Sequence, residues 1–228
     1  MRFTLFLCAV VLLIAGCAST GTNVTGGTLP TVHHDRTTLQ WGLVGVADVP
    51  TLDPALASDP TSITMASLVY GGLVRLDSRL RVQADGASRW TISRDGKTYT
   101  FFIRPGLRFA DGRRVTAQDF ASALRGALGP EGSAGTAPFY LQLIAGAGSP
   151  SLRGITVVDP STLRITLIRP AAHFLSELAF PASFVPDPSL LQRYGATWTD
   201  HASGFGPFMV KTWQHSKYVT LVRNPYFY

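Results

Sequence analysis

Cysteine is nearly absent from this sequence. There are two, Cys8 and Cys17, and both fall among the first seventeen residues. From Ala18 onward no disulfide, zinc–thiolate cluster or cysteine nucleophile can form. Charge is sparse as well, at 15% of residues, and the net charge of +6 is spread along the chain. No long Lys/Arg cluster exists, and no interleaving of basic and aromatic residues, which argues against a nucleic-acid partner. The apolar run from Phe3 to Ile14, interrupted only by Thr4, is too short for a permanent membrane span. Catalytic signatures are missing too: no G-x-S-x-G elbow, no H-E-x-x-H, no P-loop. Gly204-Phe205-Gly206 comes nearest to a dinucleotide fingerprint, but it lacks the third glycine and precedes a strand. Neither a cofactor nor catalysis is expected.

What is present favours strands and turns: 46% hydrophobic residues with 22 Gly and 15 Pro. Asp53, Asp59, Asp77, Asp95, Asp111 and Asp159 read as turn formers. His173, Glu177, His201 and His215 read as ordinary surface or packing residues. Met1-Arg2, the short apolar run and the small residues Ala15-Gly16 describe an export signal. With Cys17 directly after them, the stretch resembles a bacterial lipoprotein box, which implies acylation at Cys17. Residues 18–38, rich in Ser, Thr and Gly, read as a flexible tether. His33-His34-Asp35 lies in that tether, where three adjacent residues cannot preorganise a metal site.

Alternation predicts a first strand over Leu39 to Val46. Asp53-Pro54 and Asp59-Pro60 mark turns, and Thr61 or Ser62 is expected to cap a helix with Met65, Leu68 and Val69 on one face. A strand over residues 73–76 follows, then strands at 90–92 and 99–104 joined through Asp95-Gly96. Thr116 and Asp119 have capping-box spacing before a helix with Phe120, Leu124, Ala127 and Leu128 on one stripe. Beyond it come a short segment at Phe139 to Ile144, a hairpin over residues 154–168, short helices at 173–180 and from Pro186 on, and a strand pair at 208–213 and 218–222.

The order of several plain segments carries more than any one of them. These are Thr51-Leu-Asp-Pro54, Leu68-Val-Tyr-Gly-Gly-Leu73, Asp95-Gly-Lys-Thr-Tyr-Thr-Phe101, Ile103-Arg-Pro-Gly-Leu-Arg-Phe109, Asp111-Gly-Arg-Arg-Val-Thr-Ala-Gln-Asp-Phe120, Gly204-Phe-Gly-Pro-Phe208 and Arg223-Asn-Pro225. Together, over residues 39–228, they resemble the extracytoplasmic peptide-binding proteins of ABC importers, family 5. That resemblance implies an α/β, periplasmic-binding-protein-like fold of two lobes, of which the second is expected to be missing here. Residues 39–70 would open the first lobe, 71–190 would form an inserted β-rich small domain, and 191–228 would return to the first lobe. It implies a lipid-anchored, monomeric protein on the outer face of the cell membrane, handing a peptide ligand to permease subunits. Ser58, Asp59 and Pro60 align with a loop that touches the peptide backbone, and Phe139 with an aromatic lining the groove, although plain core contact would account for Phe139 equally well. Ser58 replaces an acidic residue, and Gly86, Ser88 and Arg89 also depart from the usual pattern. A truncated product, a binder of nickel, sugar or another solute, and a surface hydrolase are the alternatives.

Overall fold

Strict alternation builds the centre of the molecule. In β4 (Thr98–Ile103), Tyr99, Phe101 and Ile103 are buried on one face while Thr98, Thr100 and Phe102 stay half-exposed on the other. The turn before it is closed by the Asp95 carboxylate, which accepts the Lys97 N–H, and by Gly96 at φ 70°. β3 (Ala87–Ile92) pairs with β4 across that turn. On its other side β4 pairs with β6 (Thr162–Thr166), which pairs with β5 (Ile155–Asp159). The result is an antiparallel sheet in the order β3-β4-β6-β5. These strands belong to a computed structural model that describes residues 47–129, 135–149 and 152–228. The expected strand at residues 39–46 and the His33-His34-Asp35 run lie outside them.

Helix α2 (Ala117–Leu128) covers the apolar face, burying Phe120, Ala121, Leu124, Ala127 and Leu128. Each such large side chain withdrawn from water contributes about 1.5–3 kcal/mol. The helix starts as the sequence predicts: Asp119 reaches back to accept the Thr116 N–H at 2.7 Å and its hydroxyl at 2.9 Å.

Elsewhere some elements depart from expectation for local reasons and others follow it. Helix α1 (Pro60–Val69) is capped by Asp59, not by Thr61 or Ser62. Pro60 takes the first helical position, where its missing N–H costs nothing. The strand after Leu73 is half of a small hairpin, β1 (Val74–Leu76) with β2 (Val82–Ala84), whose turn is held by Asp77 accepting the Arg79 and Arg81 N–H groups. Around Phe139 the chain forms a short helix, α3 (Ala137–Leu141). Only residues 174–177 of the next expected helix are α-helical (α4, Phe174–Glu177). Then come α5 (Pro188–Tyr194), capped by Asp187, a 3-10 stretch at Gly195–His201, and the hairpin of β7 (Phe208–Gln214) and β8 (Tyr218–Arg223).

Among the described residues two apolar clusters result. The larger lies against the four-stranded sheet and includes Phe101, Phe109, Phe120, Leu163, Phe174 and Phe205. The smaller gathers Leu52, Met65, Val69, Tyr70, Ala202 and Val210, with Trp198, Trp213 and Leu221 against it. Between them backbone meets backbone: Gly206 N–H donates to Val69 C=O at 3.2 Å, Val185 N–H to Gly71 C=O at 3.0 Å and Gly86 N–H to Gly72 C=O at 2.9 Å. A Cβ on Gly206 would lie 2.6 Å from the Val69 carbonyl, so this approach needs glycine.

Candidate functional site

The segment from Thr51 to Pro60 has almost no regular structure, yet it is fixed at nearly every residue. The Ser62 hydroxyl accepts the Thr51 N–H at 3.2 Å, the Thr51 hydroxyl accepts the Asp53 N–H at 2.9 Å, and the Asp53 carboxylate accepts the Ala55 N–H at 2.9 Å. From below, the buried Tyr70 hydroxyl donates to Leu52 C=O at 2.8 Å. Burial pushes the Asp53 carboxyl up, opposed only by its bond from Ala55. Tyr70 is pushed well up by burial and by the nearby Asp53 charge, so it remains a donor.

Of the three aligned residues, Ser58 is exposed, Asp59 half-buried and Pro60 exposed. One oxygen of Asp59 is already engaged, accepting the Thr61 N–H at 3.0 Å and the Ser62 N–H at 2.9 Å. Burial raises the Asp59 carboxyl, but bonds from the Ser62 hydroxyl and from backbone N–H groups outweigh it, and the net shift is downward. Asp59→Ala should therefore cost about 1 kcal/mol of stability, the ordinary worth of a lost cap, with Asp59→Asn recovering most of it. Because the folded-state shift is downward, the difference between wild type and Asp59→Ala is full at neutral pH and shrinks as acid protonates the carboxylate. Urea unfolding at pH 7 and pH 3 measures both effects.

Phe139 approaches this loop through the start of α3. Thr136 N–H donates to Ala55 C=O at 3.1 Å and its hydroxyl to Ala57 C=O at 3.4 Å, one turn before Phe139. Phe139 is not a core residue: it is 72% exposed. Its ring meets Tyr140 edge-on at 5.1 Å, and Tyr140 stacks on Phe180 at 4.2 Å and 25°. Leu56, 42% exposed, lies on the loop that Thr136 holds. Loop and aromatic thus share one region, a fixed loop beside an open row of rings. Sequence reasoning missed Thr136, Tyr140 and Phe180. Tyr140 could have been noticed beside Phe139, but the partnership with Phe180 depends on the tertiary fold.

Among the described residues no cluster of three or more His, Cys, Asp or Glu could hold a metal ion, and no helix is long and apolar enough to cross a membrane. A shallow depression of about 350 Å³ between β2 and β3 is lined by Val82, Gln83, Arg89 and Trp90, and neither the loop nor Phe139 contributes to it. A fixed backbone loop beside exposed rings offers main-chain donors and acceptors and apolar contact area.

Comparison with known proteins gives several matches. Residues 81–228 match the family described as bacterial extracellular solute-binding proteins, family 5 middle. The glutathione-binding protein GsiB of Salmonella typhi is 34% identical over 169 residues, spanning 74% of this chain and 31% of its own length. The peptide-bound OppA of Listeria monocytogenes superposes with a TM-score of 0.73 at 27% identity, covering 79% of this chain and 38% of that one. The substrate-binding domain of an oligopeptide ABC transporter from Bacillus anthracis gives 0.72 at 27% identity, covering 79% and 37%. The chain thus spans about a third of the length of the relatives it matches.

Proposed function

Because this chain belongs to the bacterial extracellular solute-binding proteins of family 5, components of ABC importers, we propose that it captures peptides for import and performs no chemistry on them. The observation that carries this reading is the bonding of the Thr51–Pro60 loop to the start of α3, beside the exposed Phe139. Backbone groups at Ser58, Asp59 and Pro60 would meet the peptide main chain, with Pro60 offering only an acceptor. Phe139, held by Tyr140, would cover one ligand side chain, contributing contact area at little conformational cost.

In the same reading Cys17 carries the lipid that keeps the protein at the outer face of the membrane. Residues 18–38 give it reach, and the monomer passes its cargo to permease subunits. Residues 71–190 would be the inserted domain, flanked by 39–70 and 191–228 of the first lobe. The division of apolar residues into two clusters supports that boundary. Closure of a partner lobe over the ligand would complete the grip.

Phe139→Ala is expected to weaken peptide binding about tenfold, or about 1.4 kcal/mol, and to leave the unfolding midpoint unchanged because the ring is exposed. Calorimetric titration with a random peptide pool and with glutathione, alongside thermal unfolding, measures this. Equal affinity in the variant would remove Phe139 from the site. Retention of a sugar or metal ion instead of peptide, or turnover of peptide, would overturn the reading.

A further inference from the structure

Away from the peptide-facing loop, one charged cluster ties together three distant parts of the chain. The β7–β8 hairpin turns at Gln214–Lys217, closed by Lys217 N–H donating to Gln214 C=O at 3.0 Å, with Ser216 at φ 60°. A non-glycine residue in that region is uncommon and needs support from its surroundings. Asp48 supplies it. One of its oxygens accepts the Trp213 Nε1–H at 2.9 Å and the Val49 N–H at 2.8 Å, while the other faces His215 Nδ1 at 2.8 Å. The Ser216 N–H also bonds this carboxylate. On the far side of the imidazole, Nε2 is 3.4 Å from Asp200 Oδ1, in the 3-10 stretch.

The chemistry of that arrangement is restrictive. Both neighbours of the ring nitrogens are carboxylates, and an ionised carboxylate only accepts. A neutral imidazole has one N–H and can satisfy one of them; only the imidazolium donates to both. We propose that Asp48, His215 and Asp200 form a proton-operated clasp, which fastens the segment at residues 47–49 to the hairpin and the 3-10 stretch while His215 is charged and loosens when it becomes neutral. His215, an ordinary surface residue when read from the sequence, is thereby a switch.

The groups facing the ring are Asp48 from the first described segment, Asp200 from the 3-10 stretch and the uncharged Trp213 indole from β7, at 4.3 Å between centroids. Lys217 shares the turn, and His201 is stacked instead on Tyr194 at 3.7 Å. The hydrogen bond that the His215 ring donates to Asp48 raises His215 above its ordinary value; burial works against it, and the charges of Asp48 and Asp200 add to the rise. A raised folded-state value means that the clasp is fully present below the unfolded histidine's value of about 6.5 and is lost as pH climbs through the folded one. Asp48 is shifted downward, so the clasp persists into acid until that carboxylate is protonated. Its exposed position makes it sensitive to salt.

Trp213 supplies the readout, since an imidazolium against an indole quenches its fluorescence and a neutral ring does so far less. In the full chain, histidine NMR resonances should place the His215 midpoint above that of an unperturbed histidine. Trp213 emission, identified by its loss in Trp213→Phe, should rise over the same pH range. Amide exchange at Val49 and Ser216 should accelerate several-fold across the midpoint beyond its intrinsic pH dependence. Asp200→Asn should lower the midpoint, and His215→Gln should abolish both steps while the hairpin stays folded. A midpoint at or below the ordinary value, or exchange at Val49 and Ser216 that follows only the intrinsic trend, overturns the clasp.

Discussion

Phe205→Ala should lower stability by about 3–5 kcal/mol, the usual cost of deleting a fully buried ring. Phe205 is 1% exposed and belongs to the larger cluster, although it lies between elements that build the smaller one. Its ring meets Phe120 at 5.7 Å and Phe109 at 6.5 Å, both at steep angles. Gly71 and Gly86 leave room for it, since a Cβ on either would press into the ring. The neighbouring Gly206→Ala should cost about 3 kcal/mol through overpacking, because the obstacle is the Val69 backbone, which cannot rotate aside. Gly71→Ala collides with the Phe205 side chain itself, so combining it with Phe205→Leu should cost less than the sum of the two. Denaturant unfolding of the full chain with the four single variants and the Gly71→Ala/Phe205→Leu double variant settles the point. A loss under 1 kcal/mol for Phe205→Ala would mean that the two clusters are not joined here.

This seam explains why the motif order was informative while each motif looked plain. Gly71-Gly72 and Gly204-Phe205-Gly206 are spaced far apart in sequence, and nothing local says that they touch. Asn224 completes the junction, its N–H donating to Pro207 C=O at 2.9 Å and its side-chain amide to Gly206 C=O at 2.8 Å. Features decided within a few residues were legible: the alternation of Tyr99, Phe101 and Ile103, the Asp95-Gly96 turn, and Thr116 with Asp119 at the start of α2. The cap of α1 is misplaced by sequence because Thr61 and Ser62 are good cap residues, and Asp59-Pro60 reads locally as a turn although Pro60 takes the first helical position. β2 escaped because Val82–Ala84 is too short to show a period. For the proposed site, the candidates Ser58, Asp59, Pro60 and Phe139 come from the resemblance. The contact that joins them, Thr136 with Ala55, spans 81 residues and has no local signature. His215 was set aside for the same reason, its partner Asp48 lying 167 residues away.

Arg113→Met should cost about 2–3 kcal/mol. Arg113 joins the first turns of two helices: its guanidinium is 2.9 Å from Asp119 Oδ1 in α2 and 3.4 Å from Asp187 Oδ1, the cap of α5. The two carboxylates are 9% and 2% exposed, whereas the arginine is 38% exposed. Leaving buried charges without a partner costs about 3–5 kcal/mol when the whole pair is buried, and solvent around the guanidinium reduces that figure. Methionine keeps much of the apolar stem of the arginine, so the loss reports chiefly the guanidinium, its charge and its hydrogen bonds. Arg113→Lys should fall between the two, since an ammonium cannot span both carboxylates or stack as the guanidinium does at 4.2 Å over the Phe109 ring. Asp187→Asn keeps an acceptor for the Ser189 N–H but removes one of the charges. In a double-mutant cycle with Arg113→Met it should show a coupling of about 1 kcal/mol or more. Urea midpoints for the four proteins give the coupling directly, and a value near zero would make Arg113 a solvated surface residue with no part in holding α5 against α2.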